Sequence, residues 1–149
     1  MQIRLLVVGR GGRELRDFEA RFVERLHTFA RFQIIELPEG RGKQVNQRKQ
    51  AEAKQILKQV RTPFILFDER GTLNSSMQWS AHLQQQRGDA QLDFVIGGAN
   101  GVDETVRRAA SAIWSLSKLT LPHQLARALV VEQLYRAFTI IQGHPYHRA

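Results

Sequence analysis

Cysteine is absent from this chain of 149 residues. That excludes a disulfide framework, thiolate-bound zinc and thiol nucleophiles, and it suits a reducing compartment. Aromatic residues make up only 8% of the chain, so a core has to come mainly from Leu, Ile, Val and Ala; at 42% hydrophobic residues there is enough material for one domain spanning 1–149. No stretch approaches the ~20 apolar residues of a bilayer crossing. The opening "MQIRLLVVGRGG" lacks the long apolar region of a signal peptide and has strand character instead. The expectation is a soluble, cytoplasmic protein. Acidic residues are the scarce charge: 14 against 22 basic ones, a net +8, with 15 of those 22 within residues 1–75. Such an excess favours a polyanionic partner, nucleic acid foremost. A merely solvated basic surface is the plainer meaning.

What is present alternates. Short apolar runs at 3–9 ("IRLLVVG"), 32–38 ("FQIIELP"), 63–71 ("PFILFDERG") and 92–98 ("LDFVIGG") read as strands, and "IWSLSKLTLPH" (113–123) reads as a short strand and a loop. Between them lie helical patterns at 13–29, 45–60, 76–86 and 102–112, and the most apolar helix follows at 124–141. Strands alternating with helices predict an α/β domain with a mostly parallel sheet. Ligands of such sheets bind beyond the carboxyl ends of the strands. Three of those ends are unusual: "FDERG", "IGGANG" and "SLSKLTLPH".

"IGGANG" (96–101) places three glycines between a strand and a helix, which suits either a ligand loop or a tight turn. It matches neither the dinucleotide fingerprint nor a Walker loop, and Asp103 with Glu104 disfavours a phosphate at the next helix start. "SLSKLTLPH" is either a sheet edge passing into a helix or a loop that wraps a partly apolar ligand. His27 and His82 read as surface or boundary residues. His123, His144 and His147 match no common zinc spacing and have no carboxylate beside them, so no metal is expected. No serine sits in a nucleophile elbow. In the last helix, Leu125, Leu129 and Ile140 are taken for the core. Val130, Leu134, Ala137 and Ile141 then want another cover, either as a central buried helix or as a homodimer interface.

Taken together, "LLVVG", "IGGANG", "WSLSKLTLPHQLARALVVEQLYRAF" and "HPYHR" resemble the bacterial ribosomal RNA large subunit methyltransferase H family, over essentially the whole chain in length and order. The resemblance implies a SPOUT-class enzyme that uses S-adenosylmethionine to methylate N3 of a pseudouridine in 23S rRNA of the ribosome. It also implies an α/β fold with a deep C-terminal trefoil knot, and a homodimer. Nothing in composition or spacing points to a knot. The donor residues it implies are Phe67, Gly97 and Gly98, and the run Ser117, Lys118, Leu119, Thr120, Leu121 and Pro122. Two departures stand out. Ala99 and Asn100 replace the family's more usual Pro and Glu, and "FDERG" has Phe where Leu is more usual.

The same resemblance implies that the tail folds over a donor pocket near the partner subunit's site. Chemistry then suggests roles. A histidine accepts an imide proton near neutral pH and an arginine pairs with an imide oxygen, so His147 and Arg148 are the catalytic candidates, with Tyr146 stacking on a base. His123 is expected to orient the knot loop. Arg10, Arg13, Arg41, Lys43, Arg48 and Lys49 are the candidates for gripping rRNA phosphates. Two alternatives are a SPOUT enzyme aimed at another RNA position and a non-catalytic RNA-binding module.

Overall fold

The structure is a computed structural model that describes residues 1–61 and 63–148. Five strands, β1 (Gln2–Val8), β2 (Arg31–Leu37), β3 (Phe64–Leu73), β4 (Gln91–Ile96) and β5 (Ala112–Ser115), alternate with five helices. These are α1 (Arg16–Leu26), α2 (Val45–Gln59), α3 (Ser76–Gln84), α4 (Glu104–Ala109) and α5 (His123–Ile141). The sheet has the order β2-β1-β4-β3-β5, and every pairing is parallel. That arrangement accounts for the unbroken apolar runs, because a parallel sheet is covered on both faces. Along β1, Ile3, Leu5 and Val7 face α1, α3 and α5, while Leu6 and Val8 face α2 and α4. Local chemistry sets the helix starts. Ser75 and Gln78 form a reciprocal capping box on α3, and the Asp103 carboxylate caps α4 through the Thr105 amide.

Two helices are clearly shorter than the periodicity suggests: α1 begins three residues late and α4 spans only six residues. Flanking residues such as Leu15 and Val102 pack in irregular backbone, which periodicity cannot tell from helix. Strand β3 runs longer than expected. It bulges between Phe67 and Thr72 and then resumes pairing with β5, so that both residues oppose Trp114. Gly71 makes this possible. A Cβ there would lie 2.6 Å from the Ile113 carbonyl oxygen, so only glycine lets the two backbones pass.

Helix α5 overturns the burial expected of it. Val130, Leu134 and Ala137 are fully buried within one chain, while Leu125 is 38% exposed and Leu129 and Ile140 are half-buried. The reason is that α5 lies between α1 and α3 as well as against the sheet, so the wider of its two apolar stripes is covered intramolecularly. The amino edge of the sheet is closed by charge. Asp93 is buried and accepts from the Arg4 guanidinium and from the Arg61 amide at 2.7 Å. Among the described residues no helix is long and apolar enough to cross a membrane.

Candidate active site

Because all strands are parallel, their carboxyl ends share one edge, and a wide cavity opens there. It encloses about 580 Å³, within the ~300–1,000 Å³ usual for small-molecule sites. Three chain segments line it: Phe67 to Arg70 at the bulge within β3, Ile96 to Val102 at the end of β4 and beyond, and Ser115 to His123 from the end of β5 to the start of α5, with Arg107 and Ala126 completing the wall. Those are the three strand ends that stand out in the sequence.

Each segment is fixed from behind. Phe67 packs against both Trp79 and Phe94, at 5.5 and 5.8 Å, in a cluster of three rings, so the core beneath the cavity holds β3 where it bulges. The glycine loop closes on itself: the Gly101 amide donates to the Gly98 carbonyl at 3.0 Å, and Gly101 sits at φ 82°. A Cβ on Gly98 would lie 2.8 Å from Oε1 of Glu52, whose other oxygen accepts the Gly40 amide at 2.8 Å. A Cβ on Gly97 would collide with Val102. The glycine pair therefore answers first to its protein neighbours. A bulky replacement at Gly98 would displace Glu52 before it met any ligand. His123, at the start of α5, lies with Nε2 2.9 Å from the Gly97 carbonyl and joins the second segment to the third. Within the third, the Ser115 hydroxyl donates to the Ser117 carbonyl at 2.8 Å and the Leu119 amide to the Ser117 hydroxyl at 2.9 Å.

An ion pair missed in the sequence crosses the cavity wall. Arg107 of α4 reaches Asp68 at 2.7 Å, and both side chains are largely buried. Burial alone would raise the Asp68 carboxyl. Hydrogen bonds from Arg107 and the Arg70 amide, with the charges of both arginines, outweigh that and hold it below its ordinary value. Nothing in the spacing of Asp68 and Arg107 announces the pair, because two chain segments far apart in sequence supply it.

Most of the expected cavity residues are brought together: Phe67, Gly97, Gly98, Ser117, Leu119, Thr120, Leu121 and Pro122 all line it. Lys118 does not. It is exposed beside the cavity, the one residue between Ser115 and His123 that does not line it. The tail lies elsewhere. Tyr146, His147 and Arg148 are absent from the wall of their own chain's cavity. Tyr146 instead packs edge-on against Tyr135 at 4.9 Å and Phe22 at 6.2 Å, and its hydroxyl donates to Glu132 at 2.9 Å. Burial, then the bond to Glu132, raises the Tyr146 phenol above its ordinary value. His147 lies against Arg136, with Nδ1 3.1 Å from a guanidinium nitrogen.

Four of the basic candidates occupy the loops leaving β1 and β2, on the same edge as the cavity, and Arg48 and Lys49 lie near the start of α2. Arg10, Arg13, Arg41 and Lys43 are exposed. Arg48 and Lys49 are half-buried, and Arg48 spends hydrogen bonds at 3.1 and 3.3 Å on the carbonyls of Gly42 and Lys43. It shapes the loop that presents its neighbours. Among the described residues no group of three or more His, Asp or Glu could hold a metal ion.

The chain is similar to known proteins along its whole length. A family model described as "Predicted SPOUT methyltransferase" matches residues 1–147. A protein of Methylocella silvestris named ribosomal RNA large subunit methyltransferase H is 41% identical, with 99% of each chain covered. One of the same name from Agrobacterium fabrum is 40% identical, again over 99% of each. Among solved structures, a "probable methylase family protein" from Haemophilus influenzae superposes with a TM-score of 0.56 over 99% of this chain and 70% of that one; at 14% identity this is a likeness of fold. A parallel sheet with its cavity among three strand-end loops, together with identity sustained end to end, assigns the chain to the SPOUT methyltransferases, as a member of the ribosomal RNA large subunit methyltransferase H family.

Proposed function

We propose that this protein methylates N3 of a pseudouridine in 23S rRNA of the large ribosomal subunit, with S-adenosylmethionine as donor. The observation that carries the reading is the cavity, which opens on the same edge as the exposed basic loops. Its residues fit the donor. Phe67, Ile96, Leu116, Leu121 and Ala126 supply apolar surface for a base, while the hydroxyls of Ser117 and Thr120 and the glycine-loop backbone supply polar contacts. When bound, the donor supplies an electrophilic methyl group and keeps the sulfur–carbon bonding pair as a neutral thioether. The chain's own residues orient it, exclude water and hold the target imide in line, and such positioning alone accounts for a large part of many rate enhancements. Arg10, Arg13, Arg41 and Lys43 grip phosphates from the loops after β1 and β2.

The tail is too far committed to α1 and α5 to serve the cavity of its own chain. We therefore assign Tyr146, His147 and Arg148 to the cavity of a second copy in a cytoplasmic homodimer. Exposed Leu119, 72% accessible, with Leu125 and half-buried Leu129 one turn further along α5, forms the apolar part of that interface. The stripe of Val130 and Leu134 does not. A stable dimer buries about 2,000 Å² or more. The deep knot that the family resemblance implies would involve the segments around the glycine loop and residues 115–123.

Mass spectrometry of 23S rRNA from cells lacking this protein tests the reaction. Loss of one methyl group from a pseudouridine is expected, with restoration by the purified protein and S-adenosylmethionine. An unchanged 23S rRNA would overturn the reading, and loss of a methyl group at another position would retarget it. Calorimetry with S-adenosylmethionine separates an enzyme from a passive RNA-binding module, which would release no heat.

A further inference from the structure

The tail is held by side chains that the proposed reaction leaves unused. Glu132, buried on α5, accepts from Arg136 at 2.6 and 2.9 Å and from the Tyr146 hydroxyl at 2.9 Å. Gln133 donates to its second oxygen at 2.8 Å. Arg136 also lies 4.8 Å above the Tyr146 ring, and its Nη1 is 3.1 Å from Nδ1 of His147. One arginine thus fixes the ring of one tail residue and the imidazole of the next.

The imidazole contact has a definite polarity. A guanidinium carries only donors, so the nitrogen facing it has to accept. In the neutral ring the proton then sits on Nε2, which is directed away from Arg136. Among the described residues that Nε2 makes no hydrogen bond, and the bond to Arg136 is made by Nδ1. The tail therefore presents an N–H, and the lone pair that a general base would use is already occupied.

We propose that Arg136 is a positioning residue that fixes His147 as its Nε2–H tautomer, so that His147 enters the methyl-transfer site as a hydrogen-bond donor to an imide oxygen and not as the base. The inference rests on the assignment of the tail to a partner's cavity. Its chemistry balances without a protein base. The imide N3–H bond breaks with its proton passing to solvent water, the negative charge moves onto the flanking oxygens, and His147 together with Arg148 stabilises that charge while N3 takes the methyl group. Donors aimed at charge that develops only during reaction act on turnover more than on ground-state binding. The charged group in contact with His147 is Arg136 of α5; Glu132 of α5 binds Arg136 and Tyr146, Arg25 of α1 lies over the Phe22 and Tyr135 rings, and Tyr146 and Arg148 adjoin His147 in the tail, where the His144 ring accepts the Tyr146 amide.

The tautomer is read directly in the free protein by long-range ¹H–¹⁵N correlation of the His147 ring. A bare Nδ1 and a protonated Nε2 are expected near neutral pH. The opposite pattern would overturn the proposal without touching the functional reading. Kinetics supply the second arm. His147→Gln keeps a donor near the Nε2 position and has no basicity, so its turnover should stay within ~10-fold of wild type, while His147→Ala loses ~10²-fold or more. Equal losses in the two variants would make His147 a base and sink the idea. Arg136→Met should lower kcat with the KM for S-adenosylmethionine unchanged and allow the Nδ1–H tautomer, and Arg136→Lys, which still donates to Nδ1, should restore part of both. A wild-type protein that shows the expected tautomer but no methyl transfer to 23S rRNA would refute the function and the catalytic role together, leaving the Arg136 contact as a structural one.

Discussion

The two edges of the sheet solve opposite problems with the same strands. At the amino edge, Asp93 is buried and met by Arg4 and Arg61, so charge closes the fold. At the carboxyl edge, glycines replace side chains, backbone turns on backbone, and a cavity stays open. The contrast teaches where this chain keeps stability and where it keeps space. An ion pair does appear at the open edge, Asp68 with Arg107, but it forms part of the wall and does not fill the cavity.

The largest expected effect lies at the closed edge. Asp93→Ala leaves two guanidinium groups facing a vacated buried position and should cost about 3–5 kcal/mol in denaturant unfolding. S-adenosylmethionine affinity should hold in the fraction that remains folded; a parallel loss of affinity would mean that the edges are not independent. Next is Gly71→Ala, whose Cβ would meet the Ile113 carbonyl oxygen at 2.6 Å. It should cost about 1–3 kcal/mol by forcing β5 away from β3. Because the strands it separates frame the cavity, donor affinity measured by calorimetry should fall with it, the reverse of the Asp93 outcome.

Asp68→Asn should act more gently and through pH. The carboxyl lies below its ordinary value in the folded chain, so it contributes stability above the unfolded value of ~3.9 and loses that contribution as pH falls through the folded one. The variant should be less stable at neutral pH, by about 1 kcal/mol or less, and should show a flatter acid limb in urea titrations below about pH 4. An acid limb identical to wild type would show that Arg107 gains nothing from its partner. Smallest of all is Lys118→Ala. The residue sits among cavity residues in sequence but outside the cavity in space, so donor affinity should change by less than ~2-fold. A larger loss would mean that the loop turns inward when the donor binds.

Much of this was legible without coordinates. Short apolar runs, three of them ending in glycine and one in proline, mark the strands, and their alternation with helices puts the carboxyl ends on one edge, which singles out "FDERG", "IGGANG" and "SLSKLTLPH" together. The errors have a common physical origin. Helix α5 has two apolar stripes, and periodicity counts them without saying which faces inward; the neighbours α1 and α3 decided that Val130 and Leu134 were covered and Leu125 was not. Lys118 stands among cavity residues in sequence, and adjacency does not reveal that its side chain alone turns outward. The register shift within β3 was hidden because a bulge keeps the composition of a strand.

The sequence by itself determined the class of fold, the edge on which the site lies and the family, since these follow from the order of apolar runs and from residues read one after another. Tertiary structure alone decided which groups act on each other across distance. Arg107 with Asp68, Glu52 against Gly98 and Arg136 with His147 each join separate stretches of chain. A contact between two segments is a property of how they pack, and no local pattern in either segment carries it.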